Sequence, residues 1–452
     1  MKKIISLVLA ALMLTILSVP AFAADTPTVV SPAPEAPTPI TNAEEFLAME
    51  SGKTYILAND IDFGGKVFSE IMITGGKFIA GLDGDGHAIK NFKFEATDHA
   101  GDLAIFQQLG GGYIKNLSIG TVNDPLVYKV NNPTKGTYAI LAASTQNKDQ
   151  TPEIDNVHIY TKTEILFATT TVKMQFGCFI GFARNYKITN STLNGEITVK
   201  NSVAEPMSVY RNVGGFIGAD KENWSVGLLE NCENNASITH LDNAAEARVA
   251  GFIGYTDKFD TTIKNCTNNG AIHLATSAGA GYAGGIIGTV NTAAGGLMII
   301  DGCVNNGIIT YECNNEDTDK LKTFAGGIIA GAQRGAITVT NCQNTVLFDS
   351  TAANNLEIIG GNVDGGSAFV DEANNKTTAD MTVIPADPNL PVVTNPVDTD
   401  PADTTAPVED TKAPETEPSS PSTGDHSLVI ILLAAFMSVV GAAFAFIARR
   451  EN

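Results

Sequence analysis

The chain has 452 residues, which is enough for one large core or for two to three ordinary domains. Its formal net charge is −21 with only 28 Lys and Arg residues. This balance excludes nucleic acid as a partner, because phosphates need a basic face. Aromatic residues make up 7% of the chain, with one Trp, which is a poor composition for an aromatic platform that binds sugars.

The first 23 residues have the pattern of a secretory signal peptide. Lys2 and Lys3 precede an apolar run over residues 4–17, which is too short to span a bilayer comfortably. Small residues at positions 21 and 23 complete a cleavage site, so we predict a cut between Ala23 and Ala24. The rest of the chain is therefore expected outside the cell.

Proline marks the boundaries of the mature chain. Five prolines lie in residues 27–39 and nine in residues 385–421, whereas only four lie in the body between them. We predict a Pro-rich linker over residues 24–39 and a folded body over residues 40–375. Residues 376–423, rich in Pro, Thr, Asp and Glu, are expected to form an extended stalk, since they cannot bury a core.

The N-terminal edge of the body carries a helix signal. The segment Thr41-Asn-Ala-Glu44 has the pattern of a capping box and predicts a short helix over residues 42–49. This helix is expected to cover the first coil of the body, because an open edge of strands invites pairing with another chain.

The body consists of repeats with a period near 37 residues. One motif ends in Gly-Phe-Ile-Gly or a close variant; it occupies residues 176–181, 213–218, 249–254, 283–288 and 325–330, with weaker copies at 103–106 and 138–142. A second motif, with Asn-Cys and further asparagines, occupies residues 231–235, 265–270, 302–307 and 341–344, with an early form at 190–195. A short alternating strand follows the second motif.

This repeat length predicts a β-solenoid with one coil per repeat. The units are short β-branched strands punctuated by Gly and Asn, without a helical period of 3.6. Each unit buries too little apolar surface alone, so neighbouring coils must stack and share a core. The recurrent Gly suits a tight corner where a Cβ would clash. The recurrent Asn suits a left-handed turn and can pair with the Asn one coil away.

The six cysteines are Cys178, Cys232, Cys266, Cys303, Cys313 and Cys342. Four of them occupy the same place in successive coils, where parallel side chains have poor disulfide geometry. We interpret these four as a ladder of buried thiols, although secretion and an even count leave a disulfide open. Cys178 falls at a Gly position of its coil, and Cys313 is expected in a loop. A metal site is not predicted, because the sequence has no Cys-x-x-Cys pair.

The Gly-Phe-Ile-Gly repeats resemble the GLUG motif found in surface proteins of anaerobic and Gram-positive bacteria. Residues 40–46, 55–63 and 81–92 look like the leading coils of that family, and the resemblance covers about residues 40–350. It implies a parallel, right-handed β-helix and is weak for activity. Some relatives are zinc-dependent immunoglobulin A proteases with His-Glu-x-x-His. That motif is absent here, so peptidase activity, cofactor and metal are not carried over.

The C-terminus resembles a sortase sorting signal. Residues 427–448 lack charge, are long enough to cross a bilayer, and are followed by Arg449 and Arg450. The motif before them is Ser420, Pro421, Ser422, Thr423 and Gly424, with Ser420 in place of the commonest Leu. The resemblance implies that residues 424–452 act as the sorting signal. It also implies that a sortase thiolate attacks the Thr423 carbonyl, that the bond to Gly424 breaks and the chain from Gly424 onward leaves, and that Thr423 is then transferred to an amine of peptidoglycan. The alternative is an ordinary membrane anchor.

Isolated residues offer weaker candidates for chemistry. Asp60 and Asp62 share one strand face and could act as paired carboxylates, although surface or capping roles are commoner. The segment Asp83-Gly-Asp85-Gly lacks the further ligands of a calcium loop and is read as a turn. His240 stands where other coils carry Val, Leu or Tyr; a satisfied or half-exposed His at a coil edge is expected rather than a catalytic one.

Three aromatic residues suggest a binding face. Tyr186, Trp224 and Phe259 fall five or six residues after the last Gly of their motif, in loops of variable length. Stacking of the coils would bring them together as a ligand-contacting strip. The alternative is that they roof the edge of the core.

Two function classes follow from these patterns. The first is a non-enzymatic adhesin or binding module, anchored to the cell wall and displaying a β-helix to an unknown host or environmental glycan or protein. The second is a glycan-active β-helix enzyme, either a lyase or a hydrolase. We favour binding, because the short strands that follow the second motif show no cluster of acidic and basic residues facing one groove.

Overall fold

The structure, a computed structural model, describes residues 36–377 except 146–149, 169–171, 203–208, 243, 245, 277–279, 292–295, 314–322, 347, 351–353 and 357. The described part belongs to the first of two units, Met1–Ile384. The second unit, Pro385–Asn452, lies outside the described residues.

The described chain is nearly all β, with a single short helix, α1 (Ala43–Leu47). The strands of the first third are β1 (Thr38–Ile40), β2 (Thr54–Leu57), β3 (Ile61–Phe68), β4 (Ile73–Asp83), β5 (Ala88–Thr97), β6 (Phe106–Ile119), β7 (Leu126–Asn131), β8 (Tyr138–Ala139), β9 (Ala142–Thr145) and β10 (Glu153–Phe167). The strands of the second third are β11 (Met174–Gly177), β12 (Ile180–Ala183), β13 (Tyr186–Thr189), β14 (Thr192–Asn201), β15 (Tyr210–Gly214), β16 (Ile217–Glu230), β17 (Glu233–Asn234), β18 (Ser237–Leu241), β19 (Glu246–Ala250), β20 (Ile253–Lys264), β21 (Thr267–Asn268) and β22 (Ile272–Thr276). The strands of the last third are β23 (Ala280–Gly284), β24 (Ile287–Asn291), β25 (Leu297–Asp301), β26 (Val304–Asn305), β27 (Ile309–Cys313), β28 (Thr323–Gly326), β29 (Ile329–Thr340), β30 (Gln343–Asn344), β31 (Asp349–Ser350), β32 (Asn354–Leu356) and β33 (Ile359–Ala373).

Parallel pairing between successive coils makes the fold a β-solenoid, as the repeats predict. One coil runs through β15, β16, β17 and β18, and each of these strands pairs in parallel with its counterpart in the next coil. The pairing aligns Val213 with Val249, which are the first residues of two repeat copies. Seven strands, β8, β11, β15, β19, β23, β28 and β32, form one sheet, and a second sheet of 26 strands forms the remaining walls.

The recurrent glycine lies at the corner between these two sheets. A Cβ on Gly214 would lie 2.0 Å from the carbonyl oxygen of Ile217, and a Cβ on Gly326 would lie 1.9 Å from that of Ile329. The chain turns so sharply here that only a residue without a side chain fits. The predicted reason for the repeated Gly is therefore confirmed.

One hydrophobic core runs through the stacked coils. Its residues recur at the same place in each coil, for example Ile217, Ile253 and Ile287, which are paired in register and fully buried. The phenylalanines that precede the first two also stack, with ring centroids of Phe216 and Phe252 4.7 Å apart. Stacking of identical positions therefore supplies the core that a single repeat lacks.

Polar side chains form ladders at the turns. The turn ladder consists of Asn190, Asn231, Asn265, Gly302 and Asn341, which have φ between 50° and 65°. In this ladder Asn265 donates a hydrogen bond of 3.3 Å to the Oδ1 of Asn231. The left-handed turn and the pairing between coils are both as predicted.

Two further ladders run through the second motif. The inner amide ladder is fully buried and consists of Asn234, Asn268, Asn305 and Asn344, joined by hydrogen bonds of 2.7–2.8 Å. The outer amide ladder consists of Asn194, Asn235, Asn269, Asn306 and Thr345, joined by hydrogen bonds of 3.2, 2.8, 2.8 and 2.8 Å. Asn234, Asn268 and Asn305 each donate twice, to the next Asn and to a backbone carbonyl two residues on, so both amide hydrogens of these three residues are paired.

The N-terminal helix covers the first coil as predicted, but its cap is shifted by one residue. The N-cap is Asn42, whose Oδ1 accepts from the backbone N–H of Glu45 at 2.9 Å. The Glu45 carboxylate in turn accepts from the backbone N–H of Thr41 at 2.7 Å. Phe46 is buried and packs edge-on against Phe63, so the helix closes the end of the core.

The cysteine ladder is buried and reduced. Cys232, Cys266, Cys303 and Cys342 are fully buried free thiols. Cys178 is also a free buried thiol at a glycine position, and burial raises its thiol pKa. The prediction for Cys313 was wrong, because it is the last residue of strand β27 rather than part of a loop.

The described β-strands begin at Thr38 and end at Ala373, against the predicted body of 40–375. No helix among the described residues is long and apolar enough to cross a membrane. The predicted signal peptide, stalk and transmembrane segment lie outside the described residues, so these predictions remain untested.

Candidate functional site

The predicted aromatic strip is wrong for its first member. Tyr186 begins strand β13 rather than lying in a loop, and its side chain is only 1% exposed. Its hydroxyl donates a hydrogen bond of 2.9 Å to Asp220, and burial raises its pKa. Trp224 and Phe259 lie on β16 and β20, and their side chains are outside the described part. A surface strip that requires Tyr186 is therefore not formed.

His240 is part of a buried charged network that the sequence did not reveal. Its Nε2 lies 3.0 Å from Asp242, and the Nη1 of Arg211 donates to both oxygens of that carboxylate at 2.8 Å. All three side chains are fully buried within the coil stack. The Arg211 guanidinium also lies over the ring of Phe167, 3.6 Å from its centroid. We expected a satisfied or half-exposed His at a coil edge; His240 is satisfied by Asp242, but it is fully buried, because β18 points this residue inward.

Burial alone would raise the pKa of Asp242. Hydrogen bonds from His240 and Arg211 and their charges act in the opposite direction and hold the Asp242 pKa below its ordinary value. The carboxylate is therefore charged at neutral pH. It stabilises a guanidinium that burial would otherwise disfavour. This network is closed to solvent, so its role is structural.

The two aspartates considered as paired carboxylates are held by neighbouring residues. Asp60 accepts from the ammonium of Lys90 at 2.7 Å and from the backbone N–H of Ala88 at 3.0 Å. Asp62 accepts from the backbone N–H of Gly64 at 2.7 Å and from the side-chain amide of Asn91 at 2.8 Å. These hydrogen bonds lower the pKa of both carboxyl groups, which fixes them as structural acceptors.

The Asp83-Gly-Asp85-Gly segment is a turn, as predicted. The Asp83 carboxylate accepts from the backbone N–H of Asp85 and from the Asn116 amide, both at 3.0 Å. Asp85 itself has φ of 50°. Across the described residues, no group of three or more His, Cys, Asp or Glu side chains could hold a metal ion.

An open groove on the outer wall is one candidate binding site among the described residues. We call it the Tyr160 groove; it has a volume of about 430 Å³. The loop between β6 and β7 contributes Thr121, Val122 and Pro125, and Val122 is 76% exposed. This loop is held by a hydrogen bond of 3.0 Å from the backbone N–H of Asp124 to Thr121. A concave surface lined by apolar side chains and a few polar groups is typical of a binding site.

Three consecutive coils supply the rest of the Tyr160 groove. Strand pairing places Tyr160 of β10 beside Asn194 of β14, and it aligns Lys162, Glu196 and Ser237 in a row. Tyr160 is half-buried and lines the groove. The Lys162 ammonium lies 3.1 Å from Glu196, so the charges in the groove pair with each other. The groove therefore offers one aromatic ring, an amide, a hydroxyl and a neutralised ion pair.

A second groove on the outer wall is charged. We call it the Lys187 groove; it has a volume of about 490 Å³. Its lining includes Tyr113, Lys115, Glu153, Asp155, Lys187, Thr189 and Glu230. Lys187 lies 3.4 Å from Glu153, and the Asp155 carboxylate accepts from Thr189 at 2.6 Å. This charged cluster lies on β6, β10, β13 and β16, apart from the short strands that follow the second motif.

Neither groove was found from the sequence. The Tyr160 groove depends on the conformation of residues 120–125, and its only sequence signal is a run of turn residues ending in Pro125. The Lys187 groove has a clearer signal, because Glu153 and Asp155 alternate with buried residues on one strand. Recognising either would require the coil-to-coil register as well as the strand pattern.

Comparisons with known proteins give a distant structural similarity. A scan against protein-family models gave no match, and a search of curated proteins gave none either. Among solved structures, the chain is similar to the crystal structure of a putative immunoglobulin A1 protease from Bacteroides ovatus. The identity is 18% and the TM-score 0.44, over 76% of this chain and 85% of that one. At this similarity nothing about activity transfers.

Proposed function

We propose that this chain is a secreted bacterial surface protein whose β-helix binds a ligand on its outer wall without catalysing a reaction of that ligand. The observation that carries the binding role is the Tyr160 groove, which is concave and open and combines residues of three regular strands with one loop. Strands hold side chains in fixed positions, so the strand residues of the groove are ordered before the ligand arrives. We expect the glycan or protein ligand to lie outside the cell, because the first 23 residues have the pattern of a secretory signal peptide.

Wall anchoring is the second part of the proposal. It is supported by the segment of residues 420–424, the uncharged residues 427–448 and the two arginines that follow. A sortase would act on this segment as a transient partner, and peptidoglycan would be joined covalently to Thr423. The segment lies outside the described residues.

Mass spectrometry of muramidase-digested cell walls tests the anchoring. We expect a peptide that ends at Thr423 and is joined to a cross-bridge amine. Recovery of the protein in membranes only, with Gly424 and the following residues intact, contradicts wall anchoring and supports a membrane anchor.

An array of glycans and host proteins, probed with the full chain in detergent, tests the binding. We expect the original protein to bind at least one glycan or protein on the array, and the Tyr160→Ser variant to bind it more weakly. Lys53→Ser, at an exposed position before strand β2 in the first coil, serves as the control and should bind normally. A chain that binds no glycan or protein on the array contradicts the binding role.

The Lys187 groove supports the enzymatic alternative, a glycan lyase or hydrolase. It places two carboxylates and a lysine side by side from neighbouring coils, which is a composition used in acid–base chemistry. A polysaccharide degradation screen, run beside the array, separates the alternatives. Cleavage that is lost in Glu153→Gln, without stable binding on the array, favours the enzyme.

A further inference from the structure

We propose that the Tyr160 groove and the outer amide ladder together form one extended site for a linear neutral glycan that lies along the axis of the rod. This inference rests on the proposed binding function and specifies its ligand class.

The groove and the ladder are continuous. Asn194 lines the Tyr160 groove and is also the first residue of the outer amide ladder. Its Oδ1 accepts from Asn235, whose own Oδ1 accepts from Asn269 in the next coil. The ladder therefore leads from the groove across successive coils toward Asn306 and Thr345.

The ladder keeps unused hydrogen-bonding capacity on its solvent side. Asn235, Asn269 and Asn306 are exposed, in contrast to the fully buried inner amide ladder. An amide has two N–H donors and two acceptor lone pairs, and each ladder bond uses one donor and one lone pair. Each exposed Asn thus presents one further donor and one further acceptor, repeated once per coil at about 4.8 Å.

A repeating donor–acceptor pair at this spacing suits a linear glycan. Adjacent hydroxyl groups on a sugar ring both donate and accept, so they can form two bonds to one amide. The spacing is close to the length of one hexose in an extended chain, so successive sugars can meet successive coils. Tyr160 supplies a ring surface for the apolar face of the sugar at the groove end.

Charge favours a neutral glycan over an anionic one. The Lys162–Glu196 pair leaves the groove without net charge, and the exposed Asn residues of the ladder carry none. The whole chain has a net charge of −21, which repels a polyanion before contact. A uronate or sulfated polymer would therefore gain neither an unpaired cationic side chain in the groove nor a favourable electrostatic potential around the protein.

Titration of the full chain in detergent with neutral oligosaccharides tests the inference. The probes are β-1,4-glucose, β-1,4-mannose, α-1,4-glucose and β-1,4-N-acetylglucosamine oligomers of two, four and six residues. For at least one series, we expect affinity to rise roughly three- to tenfold for each further amide reached, up to the hexamer. A site confined to the groove would stop gaining affinity at the dimer, and that result overturns the proposal.

Variants of the ladder sharpen the test. Thr345 occupies the ladder position naturally, so Asn235→Thr with Asn269→Thr preserves a hydrogen-bonding side chain there. This double variant should weaken hexamer binding roughly tenfold and leave dimer binding unchanged, whereas Tyr160→Ser should weaken both. The matched control is Asn265→Gly in the turn ladder, because Gly302 takes that position in the next coil with φ of 65°. It should bind like the original protein.

The outcomes separate this inference from the binding function. Binding of a protein, a peptide or an anionic glycan on the array, with none of the neutral oligomers bound, overturns the ligand class and leaves the binding role intact. Equal loss of hexamer binding in the double variant and in Asn265→Gly overturns the role of the outer amide ladder. Far-ultraviolet circular dichroism on each variant shows that the β-helix is retained.

Discussion

Replacing Asp242 by Asn removes the carboxylate charge that pairs with the buried Arg211 guanidinium. Arg211 and Asp242 are both fully buried, and two hydrogen bonds of 2.8 Å join them. An Asn side chain has nearly the same shape, so the packing against His240 is kept. The variant therefore isolates the charge from the volume of the side chain.

The expected loss of stability is large. Removing one partner of a buried ion pair typically costs about 3–5 kcal/mol, because the remaining charge is left in a medium of low polarity. The stacking of Arg211 on Phe167 remains and offsets only a small part of this, about 0.5–2 kcal/mol. Since whole domains are stable by about 5–15 kcal/mol, the change should be measurable as a shift of the urea midpoint.

Hydrogen exchange locates the effect. Each coil of a solenoid contacts only its neighbours, so protection should fall mainly in β14, β15 and β18. The control is Glu164→Gln, which breaks an exposed pair with Lys129 at 3.5 Å and should change stability by less than about 1 kcal/mol. A second control replaces both partners, Arg211→Met with Asp242→Leu, and should recover much of the loss. An Asp242→Asn midpoint equal to that of Glu164→Gln would refute the reasoning.

The same pair predicts the response to acid. The folded state holds the Asp242 pKa below its ordinary value, so the unfolded chain binds a proton first as the pH falls. The stabilisation is fully present above the unfolded pKa, near 4, and is lost as the pH falls through the lower folded pKa. Asp242→Asn should therefore lack this part of the acid dependence when urea midpoints are compared between pH 7 and pH 3.

Three further predictions concern packing, capping and thiols. Gly281→Ala places a Cβ 2.0 Å from the Tyr311 hydroxyl and should lower the urea midpoint, whereas adding Tyr311→Leu should restore it, since Leu274 occupies that position one coil earlier. Asn42→Ala should cost about 1 kcal/mol through loss of the helix cap, while Asn59→Ala should cost less, as judged from thermal unfolding. In a Cys313→Ser background, a maleimide reagent should label no cysteine until urea unfolds the chain; rapid labelling of the native protein contradicts the buried ladder.

The repeat sequence was sufficient for the fold because its signals are local and recur. A glycine that a corner requires, as at Gly214, and an asparagine in a left-handed turn, as at Asn231, each reflect a backbone restriction inside one coil. Their recurrence then sets the register between coils. The one-residue error at the helix cap has a simple reason, since Thr41 and Asn42 are both good cap residues and only the backbone angles separate them.

The site could not be predicted in the same way. Tyr186 was placed on the surface from its distance after a glycine, although its alternation with Ile188 already indicated an inward position. Arg211 and Asp242 meet across the interior from different walls, so no spacing in the sequence joins them. The Tyr160 groove combines a single loop with residues from three coils, and its shape depends on how far that loop projects.

The parallel pairing of the coils has a mechanical consequence. Strand β1 lies at the start of the stack and β33 at its end, and the hydrogen bonds between coils point along the line that joins them. A force that pulls the two ends apart therefore opens the stack one coil at a time instead of breaking it at once. At about 3.3 Å per extended residue, each coil of 36 residues, such as that from Val213 to Val249, releases about 120 Å of chain. A coil stack of this design yields gradually under tension and absorbs work with every coil that opens.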